Sequence, residues 1–320
     1  MARATARVGP GRRAPERLAG ARRARAVRGA VQYARPGMRA LGSIAAWGVG
    51  AWAAVAVAAE PGRPAALRSV VAGDADHVFG WASVTKLCST LAVLVAVEEG
   101  TVRLEDPAGP PGSTVAHLLA HASGLAPDAP VVLAPPGRRR IYSSAGFDEL
   151  GAHVGRQASM PFADYVDQAV CRPLSMSRAR WVGGRSPARD LAGTVGDLAR
   201  LAEELLVPRL VHPGTLRQAT EVAFAGLAGM LPGFGLQDPC DWGLGFELRD
   251  AKHPHWTGSA NSPATFGHFG ASGCFLWVDP AEHVALGVLT DRPFGSWAAD
   301  AWPALSDEVL AEARGAGDRW

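Results

Sequence analysis

The sequence predicts an α/β fold of the α+β kind: an antiparallel sheet flanked by helices, with a helical subdomain set between its two halves. Three observations predict it. Short runs rich in branched and aromatic residues sit near both ends of the chain, at 51–58 and 66–73, then at 242–248, 273–278 and 284–289. From residue 82 to about 239 helical spacing dominates instead, and GTVGDLARLAEELL (193–206) is its clearest amphipathic run. A last helical run, 297–313, closes the chain. Strands at both ends of a chain with helices between them combine most simply into one sheet covered by helices, with a crevice where the helical insert meets it. The expected division is a sheet subdomain of 38–81 with 240–320 and a helical subdomain of 82–239.

Each element has its own reason. Leu41, Ile44 and Trp47 are spaced by three, as on one face of a short helix over 38–47. Trp52, Val55 and Val57 mark the strand 51–58, EPGRP (60–64) is turn chemistry, and Leu67, Val70 and Val71 carry the strand 66–73. The uncharged stretch 41–59 after a basic segment also has the look of a signal peptide. Its Ala/Gly-rich composition and the roughly 40 residues before it favour a folded strand, hence a cytoplasmic protein; export is the alternative. From Ser83, apolar residues Leu87, Leu91, Leu94 and Val95 fall at helical spacing until Gly100. PFADYVDQAV (161–170) reads as helix. FGHFGASGCFLWVDPAEHVALGVLTD (266–291) reads as strand, Asp279-Pro280 turn and strand, an edge hairpin able to wall a cleft.

Composition bounds the function. The chain has 320 residues, 48% hydrophobic and 19% charged, with a net charge of +2. Residues 1–37 hold ten arginines against one acid, so the tail is +9 and the remaining chain −7. An acidic body argues against a nucleic-acid groove in it. The tail has no apolar period, so we expect it to be disordered, and Met38 is an alternative start. No stretch predicts a membrane span. Four cysteines, none in a C-x-x-C pair, suggest buried free thiols. No cofactor is implied.

Of 32 basic residues only two are lysines, Lys86 and Lys252. Lys86 follows Ser83 by three positions at a helix start, so the two share a face. Arginine keeps its proton in a protein, whereas a desolvated lysine can lose it and act as a base toward a serine hydroxyl. The helix N-terminus offers free N–H groups to a developing oxyanion. Tyr142 lies just before an amphipathic run, where it can relay a proton if nearby cations lower its pKa.

These elements resemble the serine beta-lactamase and penicillin-binding-protein-like family, especially its class C-like and esterase branches. The resemblance rests on ASVTK (82–86), LLAHASGL (118–125), YSSAGFDELG (142–151), PLSM (173–176), WGLGFEL (242–248) and GHFGASG (267–273), in that order over about three-quarters of the chain. It implies a beta-lactamase-like fold and acyl-enzyme chemistry. Ser83 matches the nucleophile, Lys86 its base partner and Tyr142 the tyrosine of the Y-x-N element. His268 opens the K/H-x-G element that Gly270 closes, and the N–H groups of Ser83 and Ala271 match the oxyanion hole. Two positions depart from the pattern. The Y-x-N asparagine is Ser144, and the middle of K/H-x-G is Phe269, where a threonine often helps hold a β-lactam carboxylate. A histidine at 268 would be mostly charged only below about pH 6.5.

The reading is therefore a serine hydrolase acting on a small-molecule ester, amide or β-lactam, ester-type favoured, with Ser144, His268, Gly270 and Ala271 as substrate-binding residues. The alternative is a catalytically weak or inactive binding protein on the same scaffold. Other candidates carry less. His117 and His121, spaced i, i+4, have no evident third ligand, so no metal site is expected. The loop 253–266 is polar and aromatic, suited to the surface or the cleft mouth. Arg138 to Arg140 offer an anchor for an acidic substrate group. Trp81 and Trp242 are candidate cleft walls, with core packing expected for at least one.

Overall fold

The computed structural model describes residues 38–60 and 63–316, so the arginine-rich tail and the centre of the EPGRP turn lie outside the described residues. The strands are β1 Trp52–Glu60, β2 Arg63–Gly73, β3 Phe79–Gly80, β4 Arg180–Trp181, β5 Leu191–Gly193, β6 Gly229–Leu231, β7 Gly235–Gln237, β8 Glu247–Leu248, β9 Phe266–Phe269, β10 Phe275–Asp279 and β11 Val284–Thr290. The α-helices are α1 Thr85–Glu98, α2 Val115–Leu119, α3 Ser144–Ala158, α4 Phe162–Val166, α5 Val195–Leu206, α6 Pro213–Ala219 and α7 Ser296–Ala316. A 3-10 segment, Arg39–Trp47, precedes β1.

The main sheet has the order β2-β1-β11-β10-β9-β8, antiparallel throughout. The uncharged stretch that resembles a signal peptide thus supplies an interior strand, paired with β2 on one side and β11 on the other. The β10–β11 hairpin, expected at an edge, lies inside the sheet; the cleft side is formed by β9 and the two-residue β8. The strand expected over 242–248 is confined to β8, with Trp242 joined to Glu247 and Ala223 by isolated bridges.

Alternation along the strands sorts the core into two layers. Ala54 and Ala56 of β1, Phe275 and Trp277 of β10, and Val284, Leu286 and Val288 of β11 face the 3-10 segment and α7, around Leu41, Ile44 and Trp302. Ala53, Val55, Val57, Leu276, Val278 and Leu289 face the opposite way, toward α5 and α1. Helix α5 was read with the helical insert, yet it packs on this sheet face against β1, β10 and β11. Gly287 permits the approach: a Cβ there would lie 2.6 Å from Leu198 of α5. A capping box fixes the start of α5, Thr194 accepting from the Asp197 N–H while the Asp197 carboxylate accepts from the Thr194 N–H. Helix α1 is buried on nearly every side from Thr85 to Leu94, as befits a helix enclosed between layers. All four cysteines are free and buried.

The loop after β8 is not the surface loop its polarity suggests. Lys252 Nζ lies 2.7 Å from Glu247 Oε1, with both side chains 1% exposed. Lys252 also donates to the carbonyls of Asp241 and Leu248. Glu247 Oε2 accepts from Trp256 Nε1 at 2.8 Å and lies 2.9 Å from His255 Nε2. Farther along, Asp279 accepts from the Ser262 N–H and from the hydroxyls of Ser262 and Thr265. Buried charge thus pins this loop beneath the cleft. Removing one member of a buried ion pair strands the other, at a cost of about 3–5 kcal/mol. Lys252→Met should destabilise the fold by that amount, read as a lower urea midpoint with an unchanged m-value; a midpoint equal to wild type would show that the pair contributes nothing net.

Candidate active site

The site is assembled at the start of α1. Ala82 has φ +44°, a left-handed conformation that costs an alanine about 1–2 kcal/mol. This turn ends β3 and projects Ser83 out of the 3-10 turn Ala82–Val84 that leads into α1. Val84, not Ser83, is the N-cap residue of α1, and it makes no side-chain cap bond. The Ser83 hydroxyl is therefore not spent on capping. β9 is held close behind it by Gly270, where a Cβ would lie 2.7 Å from Trp81 O and 3.0 Å from Ser83 N.

Lys86, one turn into the helix, is fully buried. Its Nζ lies 3.2 Å from Ser83 Oγ, 2.9 Å from Tyr142 OH, 3.4 Å from Ser144 Oγ and 2.9 Å from Ala188 O. None of these partners is an anion. Burial first and the Arg189 charge second lower its pKa to about 7, against Asp148 and Asp128, which act the other way. The Tyr142 hydroxyl donates to Ser83 Oγ at 2.7 Å, which closes a triangle of Ser83, Tyr142 and Lys86. Ser143 caps α3 by accepting from the Gly146 N–H, and this sets Tyr142 at the helix entrance.

Tyr142 departs from expectation in one respect. Burial raises its phenol well above the ordinary value, which outweighs the hydrogen bond to Ser83 and the Arg189 charge acting in the lowering direction. Tyr142 therefore stays protonated and can pass a proton only by giving one up as it receives another. Of the three groups, Lys86 is the one whose lowered pKa suits it to accept a proton.

His268 also differs. It is buried, and its pKa falls to about 3 through burial first and the Lys86 charge second. It is a neutral ring at any ordinary pH and does not charge near 6.5. Phe269 lies among Phe234, Trp256, Phe294 and Trp302 in the aromatic layer beneath the sheet. Ser144, expected to touch substrate, lies instead against Lys86. The Ala271 N–H has no acceptor among the described residues, as an oxyanion-hole donor requires.

Ser83, Tyr142, Leu231, Pro232, Trp242, His268, Phe269, Ala271 and Phe294 line a cavity of about 440 Å³, its mouth included. No charged side chain is on that wall. Leu231 and Pro232 come from the β6–β7 hairpin and Phe294 from the loop after β11. Sequence reading missed all three, because short hairpins and loops carry no periodic signal. It also missed Ala188, whose backbone carbonyl no side-chain pattern can reveal.

Other candidates resolve into structure. Arg140 is buried and donates to the carbonyls of Ala120, Ala223, Phe224 and Cys240, so it ties loops together and is not available to a substrate acid. His121 falls beyond the end of α2, at φ +54°, so the i, i+4 pairing with His117 is broken. Its Nδ1 accepts from the Ser143 N–H at 3.1 Å, and its ring packs 4.7 Å from Tyr142. Among the described residues no group of three or more His, Cys, Asp or Glu is arranged to hold a metal. Trp81 is core, bonded to Gly193 O, whereas Trp242 lines the cavity. Among the described residues no helix is long and apolar enough to cross a membrane.

Comparison with known proteins gives the setting. The beta-lactamase family profile matches residues 17–311. A crystal structure described as a beta-lactamase from Mycobacterium bovis is 51% identical, covering 86% of this chain and 99% of that one with a TM-score of 0.82. Simvastatin synthase from Aspergillus terreus shares the fold at 16% identity, 87% and 96% coverage and a TM-score of 0.66. An octameric penicillin-binding protein homologue from Pyrococcus abyssi shares it at 18% identity, 86% and 74% coverage and a TM-score of 0.60. The D-alanyl-D-alanine-carboxypeptidase/endopeptidase AmpH of Escherichia coli is 26% identical over 153 residues, 36% of this chain. The match spans 40% of that curated relative's length.

A base with a pKa of about 7 gives a definite pH profile. If Lys86 takes the Ser83 proton, only its neutral form can do so, and the rate of Ser83 acylation should rise with pH through about 7 and level off above it. Stopped-flow acylation by an activated ester between pH 5 and 9 measures this. A profile flat across that range would exclude Lys86 as the titrating base.

Proposed function

The chain belongs to the beta-lactamase family of serine hydrolases, and we propose that it transfers acyl groups through Ser83, with uncharged carboxylic esters as its preferred substrates. The observation that carries the reading is the Ser83–Tyr142–Lys86 triangle at the floor of a cavity without a charged wall. In this reading neutral Lys86 takes the Ser83 proton as Oγ bonds to the substrate carbonyl carbon. The N–H groups of Ser83 and Ala271 hold the oxyanion. The proton passes from Lys86 through Tyr142, which gives its own hydrogen to the leaving oxygen as the C–O bond breaks. Water then attacks the acyl-enzyme, loses its proton along the same route, and Ser83 recovers its hydrogen as the acid departs. Ser144 Oγ helps to hold the amine that must gain and lose this proton.

Ester preference follows from what the cavity wall lacks. Peptides ending in D-alanyl-D-alanine and most β-lactams carry a carboxylate, which needs a cation or several donors. His268 is neutral, Phe269 belongs to the aromatic layer, and Arg140 is engaged by carbonyls. An intact lysine–tyrosine–serine network also favours catalysis over a binding protein on the same scaffold. The 51% identity to a protein described as a beta-lactamase supports β-lactam hydrolysis as a second reading.

Two measurements decide. The kcat/KM for p-nitrophenyl butyrate should exceed that for a cephalosporin; efficient cephalosporin turnover would reverse the order of the two readings. Lys86→Arg should be nearly as damaging as Lys86→Ala, each lowering the acylation rate by about 100- to 10,000-fold, because a guanidinium keeps its proton. Near-wild-type acylation in folded Lys86→Arg would leave Lys86 an electrostatic partner only.

A further inference from the structure

Three polar side chains reach the cavity wall. Ser83 and Tyr142 bond to each other and to Lys86, but His268 joins neither. Its Nδ1 lies 2.7 Å from the carbonyl oxygen of Phe269. A carbonyl oxygen only accepts, so Nδ1 carries the ring hydrogen and Nε2 presents a lone pair. Nε2 is buried without a partner among the described residues. The neighbouring Lys86 amine disfavours protonation of the ring. Glu247, the acid that would favour it, is engaged by Lys252, His255 and Trp256. An unsatisfied buried acceptor is costly, and a molecule bringing a donor recovers that cost.

The rest of the wall selects among donors. An ammonium would enter an apolar chamber with no carboxylate to meet it. An amide N–H brings its own carbonyl, and the wall has no further side-chain donor for that oxygen beyond Ser83 and Tyr142. A carboxylate meets a lone pair. A hydroxyl supplies one donor and leaves little else to satisfy. We propose that His268 Nε2 accepts a hydrogen bond from a substrate hydroxyl, so that the preferred substrates are esters bearing a free hydroxyl on the acyl or alcohol part. His268 is then a specificity residue, and the bond it makes is uncharged on both sides. This rests on the reading of Ser83 as the acylated serine.

The test compares matched esters that differ by one hydroxyl. p-Nitrophenyl butyrate is set against its 2-hydroxy and 3-hydroxy counterparts, and ethyl butyrate against 2-hydroxyethyl butyrate, followed by pH-stat. At least one hydroxylated ester should exceed its deoxy partner about 10-fold in kcat/KM, after correction for intrinsic reactivity. His268→Phe should bring that ratio to about one, and His268→Gln, whose amide oxygen can accept, should retain part of it. Ratios within twofold of one across all pairs in the wild type would overturn the proposal, whatever the variants do. A preference that persists undiminished in His268→Phe would overturn it too. Fluorophosphonate labelling of wild type and Ser83→Ala separates the two layers of argument. Labelling lost in Ser83→Ala with no hydroxyl preference sinks only the His268 role, whereas labelling that survives in Ser83→Ala sinks the reading of Ser83 itself.

Discussion

A lysine buried without an anion is the constraint on which the rest of the site depends. Nζ of Lys86 is met by two serine hydroxyls, a phenol and a carbonyl. A carboxylate at the same place would fix the ammonium and hold its pKa up. The acids that act on it, Asp148 and Asp128, do so from a distance and against Arg189, which lies near both. Holding an amine in this condition requires a dry enclosure. That is why α1 is surrounded on nearly every side, and why the segment carrying Ala188 is strapped to α1 by the Ser89 hydroxyl bonding to Pro187 O.

The protein's other lysine shows the opposite solution. Lys252 is as deeply placed but faces Glu247 at 2.7 Å. Burial alone would raise the Glu247 carboxyl, yet the Lys252 charge and the hydrogen bonds from His255 and Lys252 outweigh it and hold it below the ordinary value; burial lowers His255 itself, so its ring acts here as a hydrogen-bond partner and not as a charge. One buried amine is thus locked into an ion pair that stabilises a loop, and the other is left free to exchange its proton. The distinction lies entirely in whether a carboxylate shares the enclosure. The locked pair also serves the free one: it fixes the segment next to Trp242, which forms part of the cavity wall above Ser83.

Electrostatics and shape then act together on the cavity. A neutral histidine, a protonated tyrosine and six apolar residues leave no charge on the wall, and the Lys86 amine lies off that wall, against Ser83. Under the proposed function, such a wall would recognise acyl groups by fit and by one uncharged hydrogen bond. The left-handed turn at Ala82 and the close approach at Gly270 set Ser83 on the same cavity wall as Ala271, as the proposed acyl transfer needs.

The sequence by itself determined the elements and the chemistry-bearing residues. Periodicity and β-branching located β1, β2, β10, β11, α1, α5 and α7 to within a few residues, because those signals arise from local backbone and side-chain preferences. The ordered motifs pointed to Ser83, Lys86, Tyr142 and the 268–271 segment. Protonation was beyond its reach: the sequence leaves open whether nearby cations lower the Tyr142 pKa, and the imidazole value places the charging of His268 near pH 6.5, whereas burial raises Tyr142 and lowers His268. Partnership was likewise hidden, as with Arg140 on four carbonyls, Ser144 on the lysine and the loop after β8 folded inward. A pKa and a hydrogen bond depend on which groups from distant parts of the chain share an enclosure and on how much water is excluded from it. Residue identity fixes which protons can move, and only the tertiary structure decides where they reside.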